Sequence, residues 1–62
     1  MLLYDFLEYY DNWMGMVRIN DNNLRPLAEG RVDDVVESYA TLMEKKVVAF
    51  GFYENVLTVR IM

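Results

Sequence analysis

The last sixteen residues, VVAFGFYENVLTVRIM, constrain the fold of this 62-residue chain more than any other stretch. They read as two strands joined by a tight turn, with apolar side chains on both faces of the ribbon. A turn at Glu54-Asn55 sets Tyr53 opposite Val56, 51 opposite 58, 49 opposite 60 and 47 opposite 62. One face is then Val48, Phe50, Phe52, Leu57, Val59 and Ile61; it is wholly apolar and expected to be core. The other face is Val47, Ala49, Gly51, Tyr53, Val56, Thr58, Arg60 and Met62, and Arg60 is its one charge. What covers that second face is the question the rest of the sequence has to answer.

Length makes such a cover scarce. A chain of this size is one domain at most, spanning residues 1–62, and buries only about 60% of its unfolded surface. Neither Cys nor His is present, so disulfides and thiolate zinc sites are excluded. The apolar fraction is nonetheless 55%, with one Trp, five Tyr and three Phe. Burial between subunits is the natural remedy for a small chain this greasy.

Upstream, LLYDFLEYYD (residues 2–11) repeats apolar side chains at Leu3, Phe6, Leu7 and Tyr10, the stripe of a helix, with Leu2, Tyr9 and Trp13 widening it. MGMVRIN (14–20) switches to strand alternation around Val17 and Ile19. NDNN (20–23) is a turn, because Asn and Asp side chains bond their own backbone. LRPLAEGR (24–31) returns as a second strand, and Pro26 without an N–H places it at an edge. The spacing of Val32, Val35, Val36, Tyr39 and Met43 predicts a second helix over 33–45, with Asp33 as N-cap and Lys45-Lys46 at its negative end. The expected fold is α+β: one small domain in the order α-β-β-α-β-β, with a mainly antiparallel four-stranded sheet and both helices on one face.

Three arrangements would then cover the second face: another copy of the chain, one helix moved across, or a dedicated partner. Small Ala49 and Gly51 form a trough opposite Arg60 and Thr58, and Met14, Met16 and Arg18 point the same way if the first strand joins the sheet. Methionine suits adaptable contacts, and Tyr and Arg are frequent at interface centres. The expected homo-oligomer interface is therefore Val47, Ala49, Gly51, Tyr53, Val56, Thr58, Arg60 and Met62 with Met16.

Catalytic chemistry finds little to work with. No His is available as a base near neutral pH, and the acid cluster Asp33, Asp34 and Glu37 is accounted for by helix capping. Ser38, the single serine, falls mid-helix without a base, as do Thr41 and Thr58 in their elements. NDNNLRPLAEGRVDD has no glycine at the offset that a calcium loop requires, and the scattered Gly15, Gly30 and Gly51 make no phosphate cradle. No cofactor and no enzymatic activity are expected.

Ten acids against six bases give a net charge of −4, which argues against non-specific binding to nucleic acid or anionic membrane. The alternative retained is a nucleic-acid face made of Arg18, Arg60 and Tyr53. Asp5, Glu8 and Asp11 on the first helix, with Asp34, Glu37 and Glu44 on the second, are either solvated faces or a spaced negative surface for a basic partner. No basic leader precedes the apolar start MLLYDFLEYY, and no run reaches the ~18 apolar residues of a membrane span, so a cytoplasmic location is expected.

The opening YDFL helix, the VRI strand, the lead GRVDD into the second helix and the ending VVAFGF…VLTVRI together resemble small uncharacterised proteins of Firmicutes prophages and mobile elements. The likeness spans most of the chain and carries over no functional residue. It implies a phage-type accessory protein acting by stoichiometric binding, with inhibition of a host defence nuclease, as in anti-CRISPR proteins, as one form. Self-association and a basic host protein are the partners expected; a self-assembly module is the remaining option.

Overall fold

The computed structural model describes all residues 1–62. Helix α1 (Leu3–Tyr10) leads into strands β1 (Met16–Asn20) and β2 (Pro26–Arg31). Helix α2 (Val32–Ser38) and a 3₁₀ segment (Ala40–Glu44) then lead into β3 (Val47–Tyr53) and β4 (Val56–Ile61). The expected α-β-β-α-β-β order and α+β class are what the chain adopts.

The four strands form one mixed sheet in the order β2-β1-β4-β3. Two antiparallel hairpins lie side by side, joined by a parallel contact between β1 and β4, with Val17 beside Leu57 and Ile19 beside Val59. The most buried strands are therefore the middle pair, and Val17, Ile19, Leu57, Val59 and Ile61 form the floor of the core. Leu3 and Leu7 of α1, Val32 and Val35 of α2 and Met43 of the 3₁₀ segment close it from above. Both helices thus pack on one face of the sheet. No helix is long and apolar enough to cross a membrane.

Each turn is set by its own chemistry. Between β1 and β2, the Asp21 carboxylate accepts from the backbone N–H of Asn23 (2.8 Å) and Arg25 (2.9 Å). Between β3 and β4, Glu54 and Asn55 both have positive φ, at 53° and 66°, the type I′ geometry that fits the twist of a two-residue hairpin.

Five expectations need correction. The expected hairpin register holds from Ala49–Arg60 to Tyr53–Val56, but a bulge follows. Val47 then pairs with Ile61, and Met62 exchanges both backbone hydrogen bonds with Lys46. That slip takes Val47 out of the second face: it packs against the core.

The second helix does not run to residue 45. It stops at Ser38, Tyr39 leaves helical geometry (φ −123°, ψ 51°), and the chain continues in the tighter 3₁₀ form. Arg31, not Asp33, sits at the N-cap; Asp33 falls in the first turn.

Tyr9 does not join the buried stripe of α1 and is 78% exposed. Finally, Val48, Phe50 and Phe52 are not core. Phe50 is 61% and Phe52 59% exposed, although their partners Val59 and Leu57 are buried.

The exposure of those two rings follows from layer widths. α1 has eight residues and is about 12 Å long. Four strands spaced ~4.8 Å apart present a broader face than such short helices can roof. α2 packs over β2 and β1, leaving β3 at the far margin under the rim of α1. There Phe6 meets Phe50 (ring centroids 4.8 Å apart) and Tyr10 meets Phe52 (6.2 Å), each from one side only.

Candidate interaction surfaces

The open face of the sheet is the first surface. Strand alternation gathers Arg18 and Asn20 from β1, Ala49, Gly51 and Tyr53 from β3, and Thr58 and Arg60 from β4 around a shallow concavity of about 390 Å³. Seven residues named from sequence for self-association or nucleic acid therefore do come together there: Arg18, Ala49, Gly51, Tyr53, Thr58, Arg60 and, on the same face beside them, Val56. Met16 is exposed at the start of β1, opposite Arg31.

This face is more polar than the C-terminal ribbon alone suggests, because β1 and β2 add Arg18, Asn20, Glu29 and Arg31 to it. Arg18 is held by Glu29 (3.2 Å) across the β1–β2 pair. The guanidinium of Arg60 has no such partner, and its Nε is shielded from water without any hydrogen bond. Nothing lies within 4 Å of the position a Cβ would take on Gly51.

The helical layer is the second surface. Residues 3–11 and 32–44 contain seven acids and no base, while the remainder contains three acids and six bases. Asp5, Glu8, Asp11, Asp34, Glu37 and Glu44 are all exposed. No three acidic side chains converge as a metal site. Arg31, at the junction of β2 and α2, bonds Asp33 (2.6 Å) and lies 3.8 Å from Asp34. The hydrogen bond to Arg31 holds the Asp33 carboxyl below the usual carboxylate range, and the same bond raises Arg31.

The third surface is not among those expected from sequence. β3 is an edge strand whose outer side faces no other strand along most of its length. Only its first residues are covered: the Met1 carbonyl accepts from Val47 N–H (2.8 Å), and Leu2 bridges Lys46. Beside this edge, between β3 and α1, lies a cleft of about 650 Å³ lined by hydrophobic residues, including Phe6, Tyr9, Val48 and Phe50. From Val47 to Tyr53 the strand has no charge and no proline. A signal was available in that composition. Edge strands normally carry Lys, Pro or inward charges that discourage pairing, and VVAFGFY carries none.

No family model, no curated protein and no solved structure matches the chain.

Proposed function

We propose that this protein works by binding another polypeptide, without catalysis, and that its contact surface is the β3 edge with the flank of α1. One observation carries the reading: the most apolar strand of the chain lies at the sheet margin, with Phe50 and Phe52 more than half exposed. Monomeric proteins seldom leave a contiguous apolar patch of this kind uncovered. Unpaired backbone groups beside it add directional affinity, because an extended peptide can extend the sheet there. The residue inventory agrees, since the chain has no His or Cys and its single serine has no base.

The test is site-specific photo-cross-linking in cells. A photoreactive phenylalanine analogue at position 52 is expected to give protein adducts, and the same analogue at position 37 on α2 far fewer. Equal or absent adducts at the two positions would overturn the reading.

A second reading is favoured by the charge segregation, with every helical charge acidic. A basic protein, such as the nuclease of a host defence system, would be drawn to that layer at a rate that falls with salt. Replacing Asp34 and Glu37 by Lys is expected to slow association with such a nuclease at low ionic strength. An unchanged on-rate would remove this reading.

A further inference from the structure

We infer that the occupant of the β3 edge is a second copy of this chain, paired antiparallel through β3 about a two-fold axis at Gly51. This rests on the binding role just proposed for the same edge and names its partner.

The hairpin geometry fixes which backbone groups are free. Tyr53 and Val56 flank a two-residue type I′ turn, so they exchange both ladder bonds. Alternation then points Tyr53, Gly51 and Ala49 inward to β4, and directs the N–H and C=O of Phe52 and Phe50 outward. With Val47 already bonded to Met1, the free stretch is centred on Gly51. Antiparallel pairing about Gly51 sets Phe50 against Phe52 of the second copy and Phe52 against Phe50. Each pair exchanges two backbone bonds, and all four rings fall on the helix side.

Three further features fit a copy of the same chain. The arrangement brings the Glu54 turn of each copy to the Lys45-Lys46 end of the other, placing opposite charges at both ends of an otherwise uncharged contact. The available area is adequate. Tyr9, Phe50, Phe52 and Tyr53 are 59–78% exposed, and at about 150–250 Å² per ring they offer on the order of 500 Å². Met1, Leu2 and Val48 bring this toward the ~800 Å² per partner of a specific interface. Pairing also closes. Each copy uses its one unguarded edge, and the outer margins of the resulting eight-stranded sheet are the two β2 strands.

The mass in solution and one cross-link test the inference. The unaltered protein is expected at twice 7.4 kDa at micromolar concentration by sedimentation. Phe50→Lys with Phe52→Lys, both at exposed positions, is expected to weaken the dimer by at least ~100-fold with the circular dichroism spectrum retained. Gly51→Cys supplies the register test, independent of whether the lysine variant folds. Across a non-hydrogen-bonded antiparallel pair the Cα atoms lie ~4.5 Å apart, within the ~4.4–6.8 Å that a disulfide spans. Mild oxidation should therefore link Gly51→Cys chains rapidly and Thr58→Cys chains slowly.

A monomer at micromolar concentration overturns the inference. So does a dimer indifferent to the lysine pair, or a Thr58→Cys chain that links faster than Gly51→Cys, which would place the contact on the open face. Adducts at position 52 with only other proteins, and none at twice the chain mass, would refute the second copy while leaving the binding role intact.

Discussion

β2 and β3 are both edge strands of the same sheet, of six and seven residues, and they treat their free backbone differently. β2 begins at Pro26, which has no N–H to offer, and carries a bulge where Ile19 gives way to Asn20 on its partner strand. It also bears Glu29 and Arg31, and a charged edge discourages the approach of another strand. β3 has a bulge too, at Val48, but no proline and no charge between Val47 and Tyr53. Its only guard is the Met1–Leu2 segment across its first residues. In the dimer inferred above, a sheet with one protected edge and one bare edge would add one neighbour and stop.

The largest effect should come from removing the protection of β2. Pro26→Thr with Glu29→Val gives the second edge a free N–H and an apolar side chain. With both edges receptive, pairing no longer closes, and we expect elongated assemblies in place of a dimer. Light scattering and a cross-β-sensitive dye would register them. A variant that keeps the mass of the parent protein would show that the difference between the edges is not what limits assembly.

The next prediction contrasts the margin of the sheet with its centre. Ile19 on β1 is fully buried and Phe50 on β3 is mostly exposed. Ile19→Ala should cost about 2–5 kcal/mol of folding stability, through lost transfer energy and the cavity left behind. Phe50→Ala, measured on a Phe52→Lys background at a concentration where sedimentation shows a monomer, should cost less than about 1 kcal/mol. Denaturant titration separates them. Similar losses would mean that Phe50 is held by the core, and the bare-edge description would fail.

A smaller effect belongs to the turn that feeds the guarded edge. Asp21 accepts two backbone N–H groups at the β1–β2 connection. Asp21→Ala should lose about 1 kcal/mol, the usual contribution of such a cap-like acceptor. Glu54, in the β3–β4 turn, has no side-chain hydrogen bond, so Glu54→Ala should change stability by only a few tenths of a kcal/mol.

These contrasts also explain what the sequence disclosed and what it withheld. The turn at Glu54-Asn55 and the register from 49 to 53 were legible because a two-residue loop allows few alternatives. The slip at Val47 was not, since it depends on Met1 and Leu2 reaching across from another part of the chain. Val32, Val35 and Met43 of the stripe read from spacing do face the core, while Tyr39 of the same stripe is exposed. The break at Tyr39 escaped because neither glycine nor proline marks it.

Phe50 and Phe52 were misplaced for a different reason. Side-chain alternation puts them on the same face as Leu57 and Val59, and that part was right. Whether a face is roofed depends on strand order, and only the parallel β1–β4 contact pushes β3 to the margin. Residues on the open face, including Ala49, Gly51, Thr58 and Arg60, were grouped correctly because local alternation is enough for that. The polar additions from β2 required the tertiary pairing.

The smallest effect lies where the guarded edge passes into α2. Arg31 ends β2 and also reaches Asp33 in the first helical turn, so one exposed ion pair ties the edge to the helix above it. The Asp33 carboxyl is held below its ordinary range mainly by the hydrogen bond from Arg31. A carboxyl with a depressed folded-state pKa stabilises the fold above its unfolded pKa and loses that contribution as pH falls through the folded value. The difference in melting temperature between the parent protein and Asp33→Asn should therefore be constant near neutral pH. It should close only below the ordinary carboxylate range. Because the pair is open to solvent, it should also shrink as salt is added. A difference that instead grows with acid would mean that Asp33 is stabilised in its protonated form, and the tie between β2 and α2 would have to be assigned to the backbone alone.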